Sequence, residues 1–183
     1  MLDYLLAAFT GPGAGFMYAI TALLAFSIAV ALERTVLLLR WSSGGEDSPL
    51  AKVLSAGNAQ RNPDAAWDAM GGAAAEQENR IRQRIGYLGA VANLATMLGL
   101  LGTVYGLILA FSALGDAGAG ERAVRLSEGI STAMATTAWG LLVGIPSLGL
   151  HAWLDGLANS RVAAIEAAAS RLVAALRSGP SDA

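Results

Sequence analysis

Three long apolar stretches organise the chain: Phe16 to Leu39, Ile85 to Leu114 and Gly129 to Leu154. The first is interrupted only by Glu33 and Arg34 near its end, and the other two hold no Asp, Glu, Lys or Arg. A helix needs about 20 apolar residues to cross a hydrocarbon core about 30 Å thick. A soluble bundle would repeat a polar face every three or four residues, and none of these stretches does. The pattern predicts an all-α integral membrane protein with transmembrane helices over 17–39, 85–113 and 129–154.

Between the spans the pattern stays helical. Ser48-Pro49 and Asn62-Pro63 each put a capping side chain before a proline suited to a first helical turn. They predict two short helices ending near Gly57 and Gly71. From Ala73 no breaker occurs before Gly86. The second span is therefore expected to start well outside the membrane, in a helix of about forty residues and about 60 Å. The third span runs on through an Ala-rich tail to about Arg177, with Pro146 expected to bend it.

Basic residues set the expected orientation. None precedes Arg34; Arg40, Lys52, Arg61, Arg80, Arg82 and Arg84 lie between the first two spans, and Arg161, Arg171 and Arg177 follow the third. Arg122 and Arg125 are balanced by Asp116, Glu121 and Glu128. The positive-inside rule places the N-terminus outside, with a cytoplasmic helical loop (40–84), a short outer loop (114–128) and a cytoplasmic helical tail (155–183). Trp41, Tyr87 and Trp153 fall near cytoplasmic span ends, where interfacial aromatics belong. Residues 1–16 lack a basic start and do not read as a cleaved signal peptide. Leu2, Leu5, Leu6 and Phe9 form one apolar face suited to the outer membrane surface. Arg80, Arg82 and Arg84 are read as topogenic and as contacts for anionic membrane lipids.

Composition agrees with this picture. Of 183 residues, 55% are hydrophobic and only 14% charged, against about 25% charged in an average soluble domain. That apolar content excludes disorder, and the absence of cysteine excludes a disulfide scaffold. A net charge of −2 argues against a nucleic-acid partner.

Polar groups in hydrocarbon are costly, so the few present are the functional candidates. Asn93, Thr96, Gly99, Thr103, Gly106 and Ala110 recur at helical spacing on the second span, and Ala133, Thr137, Gly140, Gly144, Ser147 and His151 on the third. Tight packing is one account: Gly102-Gly106 and Gly140-Gly144 are small-xxx-small pairs. Depth supplies another. Thr103 and Thr137 both lie roughly 10–12 Å below the outer end of their helices. Several copies around an axis would bring them into a hydroxyl ring able to line a pore. One copy has too few helices to enclose a pore, so conduction requires an oligomer.

Other candidates are weaker. Glu33 and Arg34 read as an ion pair at the cytoplasmic end of the first span. His151, the only histidine, has no companion ligands, so no metal site is expected. Ser147 and His151 stand four apart, but nothing supplies the rest of a hydrolase site. Gly11-Pro12-Gly13-Ala14-Gly15 lacks the lysine of a nucleotide loop. No enzymatic role and no cofactor is expected.

Two segments carry a resemblance. Leu98-Gly99-Leu100-Leu101-Gly102-Thr103-Val104-Tyr105-Gly106 resembles the LGLLGTVxG motif of the MotA/TolQ/ExbB proton-channel family. The segment from Gly129 to Leu141, followed by Ile145-Pro146, resembles that family's GIxxAxxTTAxGLxxxIP segment. The resemblance implies a homopentamer in the bacterial inner membrane, whose second and third spans surround the single helices of an ExbD/TolR-like partner dimer. It implies a proton-conducting stator powering TonB-dependent import, Tol-Pal or gliding work, with Thr103 and Thr137 facing a partner aspartate. ExbB and TolQ proteins carry a glutamate where this chain has Thr132, so Thr132 joins the expected pathway in altered form. The competing expectation is a non-conducting scaffold that holds a partner membrane protein through Gly99, Gly102, Gly106, Gly140 and Gly144.

Overall fold

Apolar residues on every side of a helix favour burial in lipid, and the long elements are of that kind. The computed structural model describes residues 9–11, 13–40, 48–116, 118 and 120–178. Five helices follow in order: α1 (Ala14–Arg40), α2 (Pro49–Asn58), α3 (Pro63–Arg82), α4 (Ile85–Asp116) and α5 (Arg122–Ser178). No strand occurs among the described residues. Three stretches, carried by α1, α4 and α5, are long and apolar enough to cross a membrane. The protein is an all-helical membrane protein.

Two compact units divide the chain. The first comprises residues up to Val30 together with Tyr87–His151. Within it α4 and α5 meet along glycines, and the start of α1 packs on one side of that seam. Ile20, Ala95 and Val143, one from each helix, form a fully buried cluster flanked by Leu23, Leu24, Leu98 and Trp139. Two polar contacts tie α1 to α5: the Trp139 indole N–H donates to Thr21 at 3.1 Å, and the Ser27 and Ser147 hydroxyls share a buried bond of 2.9 Å. Leu2, Leu5 and Leu6 of the expected surface segment lie outside the described residues, as does Trp41. Phe9, its last apolar residue, stacks edge-on against Tyr18 and Trp139.

The second unit comprises Ala31–Gly86 and the chain from Ala152 onward. Its short helices start at the expected caps. Ser48 Oγ accepts from the Ala51 N–H at 3.1 Å, and Asn62 Oδ1 from the Asp64 N–H at 2.9 Å. Helix α2 ends at Asn58, and the Met70 and Leu172 side chains pack into the space that Gly57 leaves beside it. Helix α3 corrects the expected stop at Gly71: it continues through Gly71 and Gly72 to Arg82. Two interior glycines cost only about 1 kcal/mol each, and Met70, Gln77 and Ile81 anchor the helix on both sides of them.

The long helix expected from Ala73 is likewise interrupted. Gln83 and Arg84 form a turn between α3 and α4. Arg84 has φ of 67°, a left-handed conformation that no other non-glycine residue adopts among those described. That conformation costs roughly 1–2 kcal/mol for a residue with a Cβ. At the other end of α4, the link expected over 114–128 is mostly helical, with only 117–121 between α4 and α5. Helix α5 continues on both sides of Pro146, as a single helix of 57 residues.

A candidate hydroxyl site between two membrane helices

Small residues let α4 and α5 approach until backbone meets backbone. A methyl added at Gly140 would stand 2.6 Å from the Ala95 carbonyl oxygen and 2.9 Å from Gly99 Cα. At Gly99 it would reach the Thr136 carbonyl oxygen at 3.0 Å, at Gly106 the Ala133 backbone at 3.0 Å, and at Gly144 the Thr96 hydroxyl at 2.7 Å. Gly102 gives the same space to Thr136 Oγ1, at 2.6 Å. All five packing glycines from the sequence thus lie on the α4–α5 contact.

This approach brings hydroxyls together. Thr103 and Thr137 hydrogen-bond to each other through Oγ1. Both also reach the Gly99 carbonyl oxygen, Thr103 at 3.2 Å and Thr137 at 3.1 Å. Thr103 has a further acceptor in the Ala133 carbonyl at 3.3 Å. Each hydroxyl carries one proton and two lone pairs, while every carbonyl only accepts. Two protons therefore serve more acceptors than they can satisfy together, and lone pairs on the threonines remain able to accept from an incoming donor. Both side chains are half-buried and lie at the edge of the seam away from α1.

Thr136 was not singled out from the sequence, yet it lies at the centre of the contact. It is fully buried, bonds the Ala133 carbonyl at 2.8 Å, and approaches the Gly99 carbonyl at 3.4 Å. Its position next to Thr137 in a Thr-Thr pair was the only signal available.

The remaining candidates separate. Ser147, grouped with Thr137 by spacing, is 1% exposed and bonds Ser27 and the Val143 carbonyl. It belongs to the α1 side of the seam, because ten residues at 100° per residue rotate it by about 80° from Thr137. Thr132 bonds the Glu128 carbonyl at 3.0 Å and leaves no room for a Cβ at Gly13, so it too faces the α1 side. The His151 ring stands over Gly89, 3.4 Å from where a Cβ would be.

In the second unit, Glu33 and Arg34 form the expected pair, at 3.3 Å. The Arg34 side chain is 7% exposed, also reaches the Arg80 carbonyl at 3.4 Å, and keeps Nε buried without a hydrogen-bond partner. Glu33 accepts two further bonds from Arg84, at 2.9 and 3.1 Å. Arg80 pairs with Glu76, and Arg82 with Glu78 and Asp155. The arginines read as lipid contacts are thus matched by carboxylates within the unit, which weakens their pull on anionic headgroups.

Comparison with known proteins gives one consistent result. The family model described as the MotA/TolQ/ExbB proton channel family matches residues 45–167. A protein named as an ExbB biopolymer transport homolog in Methanothermobacter thermautotrophicus is 30% identical over 125 residues, covering 67% of this chain and 44% of its own. The biopolymer transport protein ExbB of Aquifex aeolicus is 36% identical over 80 residues, covering 44% of this chain and 53% of its own. The chain thus matches about half the length of these relatives.

Proposed function

We propose a function from one premise: the chain belongs to the MotA/TolQ/ExbB proton channel family. It is a proton-conducting stator subunit of a motor in the bacterial inner membrane. The proton motive force drives an envelope process such as TonB-dependent import, Tol-Pal maintenance or gliding. Five copies form a ring with the N-terminus outside, and the open edge of the α4–α5 seam faces the pore. An ExbD/TolR-like partner dimer contributes the single helices within.

One observation carries this reading: Thr103 and Thr137 present bonded hydroxyls on a charge-free stretch of α4 and α5, away from α1. Hydroxyls relay hydrogen bonds without changing charge, so the titrating carboxylate must come from the partner helix. The threonine pair would donate to that carboxylate when ionised and accept from it when protonated. Thr132 and Ser147 have no part in this arrangement, since both face the α1 side.

The scaffold reading has an observation of its own, because both threonines can satisfy themselves on backbone carbonyls. Substitution separates the two. Conduction requires that Thr103→Ala and Thr137→Ala assemble normally yet lose energised function. A scaffold would tolerate both and fail on bulky replacements at Gly102 or Gly140.

A further inference from the structure

Helix α5 belongs to the second unit from Ala152 onward, and there its two flanks differ in charge. Leu157, Arg161, Ala164, Ala168, Arg171 and Ala175 recur at alternating intervals of four and three, so they form one stripe along the helix. Each is exposed or half-buried. Arg161 and Arg171 make no ion pair among the described residues, and Arg161 Nε is buried without a hydrogen-bond partner.

The other flank borders a groove between α3 and α5. Its floor is Met70, Ile165 and Ala169, all buried, and it encloses 390 Å³. Gly71 and Ala74 keep it open, and a Cβ at Gly71 would meet nothing within 4 Å. Trp67 is 50% exposed at one end, where a second hollow continues along Val173 and Ala174. Such an aromatic beside open space leaves a large apolar surface in water. Glu78 and Glu166 stand at the sides of the groove. Glu78 pairs with Arg82, and the Glu166 carboxylate makes no ion pair among the described residues. Glu166 is five residues from both Arg161 and Arg171. That spacing is about 140° around the helix and about 7.5 Å along it in each case. The unpaired carboxylate and the two unpaired guanidiniums therefore face away from each other within one copy.

Copies related by rotation about one axis meet heterologously, one flank against the other, and stay level. A level neighbour sets Glu166 between the heights of Arg161 and Arg171, at an offset of about 7.5 Å that a long arginine side chain spans. We infer that the α3–α5 groove receives the Arg161–Arg171 stripe of a neighbouring copy. Glu166 and Glu78 meet the two guanidiniums, and Ala164 and Ala168 lie against Gly71 and Ala74. Charge complementarity selects a second copy as the occupant, because the cations that the groove lacks are carried by the same chain. The inference rests on the proposed ring and adds to it a contact outside the membrane spans.

The chain has no cysteine, so introduced cysteines can report the contact in the assembled complex in native membranes. The double variant Ala74→Cys with Ala168→Cys, treated with a short bifunctional methanethiosulfonate, should give a ladder of cross-linked copies. Each single variant should give about tenfold less, because a heterologous contact places neither position opposite itself. If native gels show the oligomer and the double variant does not cross-link, the inference is overturned and the ring stands. If no oligomer forms, the ring reading falls and the inference falls with it. Cross-linking seen only when the single-span partner is absent would make that partner the occupant and overturn the inference. A second measurement tests the charges. Glu166→Arg should lower the recovered oligomer about fivefold, and adding Arg161→Glu and Arg171→Glu should restore it. Wild-type oligomer yield in Glu166→Arg, or no recovery in the triple variant, would overturn the inference.

Discussion

Thr103 and Thr137, 34 residues apart in sequence, hydrogen-bond to each other and converge on one acceptor, the Gly99 carbonyl oxygen. Interhelical hydrogen bonds of this kind in membranes average only about 0.6 kcal/mol and reach about 1.7. Losing a hydroxyl should thus barely affect assembly. Thr103→Ala and Thr137→Ala are expected to lower energised transport about tenfold or more, with oligomer yield within the wild-type range. Thr→Ser at either position should retain most of the activity. Transport assays beside native gel analysis of the complex check both halves.

Backbone contact at the glycines calls for the opposite outcome. Gly140→Ala places a methyl 2.6 Å from the Ala95 carbonyl oxygen. No flexible side chain there can yield, so α4 and α5 must separate. A loss of about 1–3 kcal/mol is expected, read by denaturant titration of the purified protein in detergent. Gly72→Ala meets nothing within 4 Å and should stabilise α3 by up to about 1 kcal/mol.

The buried serine pair gives a sharper test of which groups conduct. Ser147→Ala leaves the Ser27 hydroxyl buried without its partner on α5, at a cost of about 1 kcal/mol. The double variant Ser27→Ala with Ser147→Ala should recover part of that cost, because both polar groups leave together. Transport should stay at wild-type level in all three, which separates Ser147 from Thr137.

The Glu33 cluster supplies a stability prediction. Glu33→Gln removes the carboxylate shared by Arg34 and Arg84, and the Arg34 side chain is 7% exposed. Glu33 itself is 40% exposed, so the expected loss is discounted to about 1–2 kcal/mol from that of a fully buried pair. Glu76→Gln breaks only an exposed i,i+4 pair and should cost about 0.3–0.5 kcal/mol. Thermal unfolding of the two variants side by side makes the comparison.

Much of this arrangement is written in local sequence. The three apolar stretches required helices in lipid, and the small residues around Thr103 and Thr137 marked the faces that meet. What the spacing left open was which side of the seam α1 covers, because residues on nearly every side of these helices are apolar. Ser147 and Thr132 share helical spacing with Thr137, yet drift around α5 until they face α1, whereas Thr96, seven residues from Thr103, stays on the open edge of α4. The turn at Arg84 was equally hidden. No glycine or proline stands at that position, and the left-handed residue is an arginine whose side chain pairs with Glu33. Helix α3 passes Gly71 for a related reason: contacts distant in sequence outweigh a modest local propensity.

Conduction through the threonine pair is tested most directly by proton flux into liposomes that hold the proposed ring together with the proposed single-span partner. An imposed membrane potential drives the flux, and an enclosed pH-sensitive dye reads it. The account predicts rapid acidification with the wild-type and Ser147→Ala complexes and none above background with Thr137→Ala. Equal flux from the Thr137→Ala and wild-type complexes would contradict it.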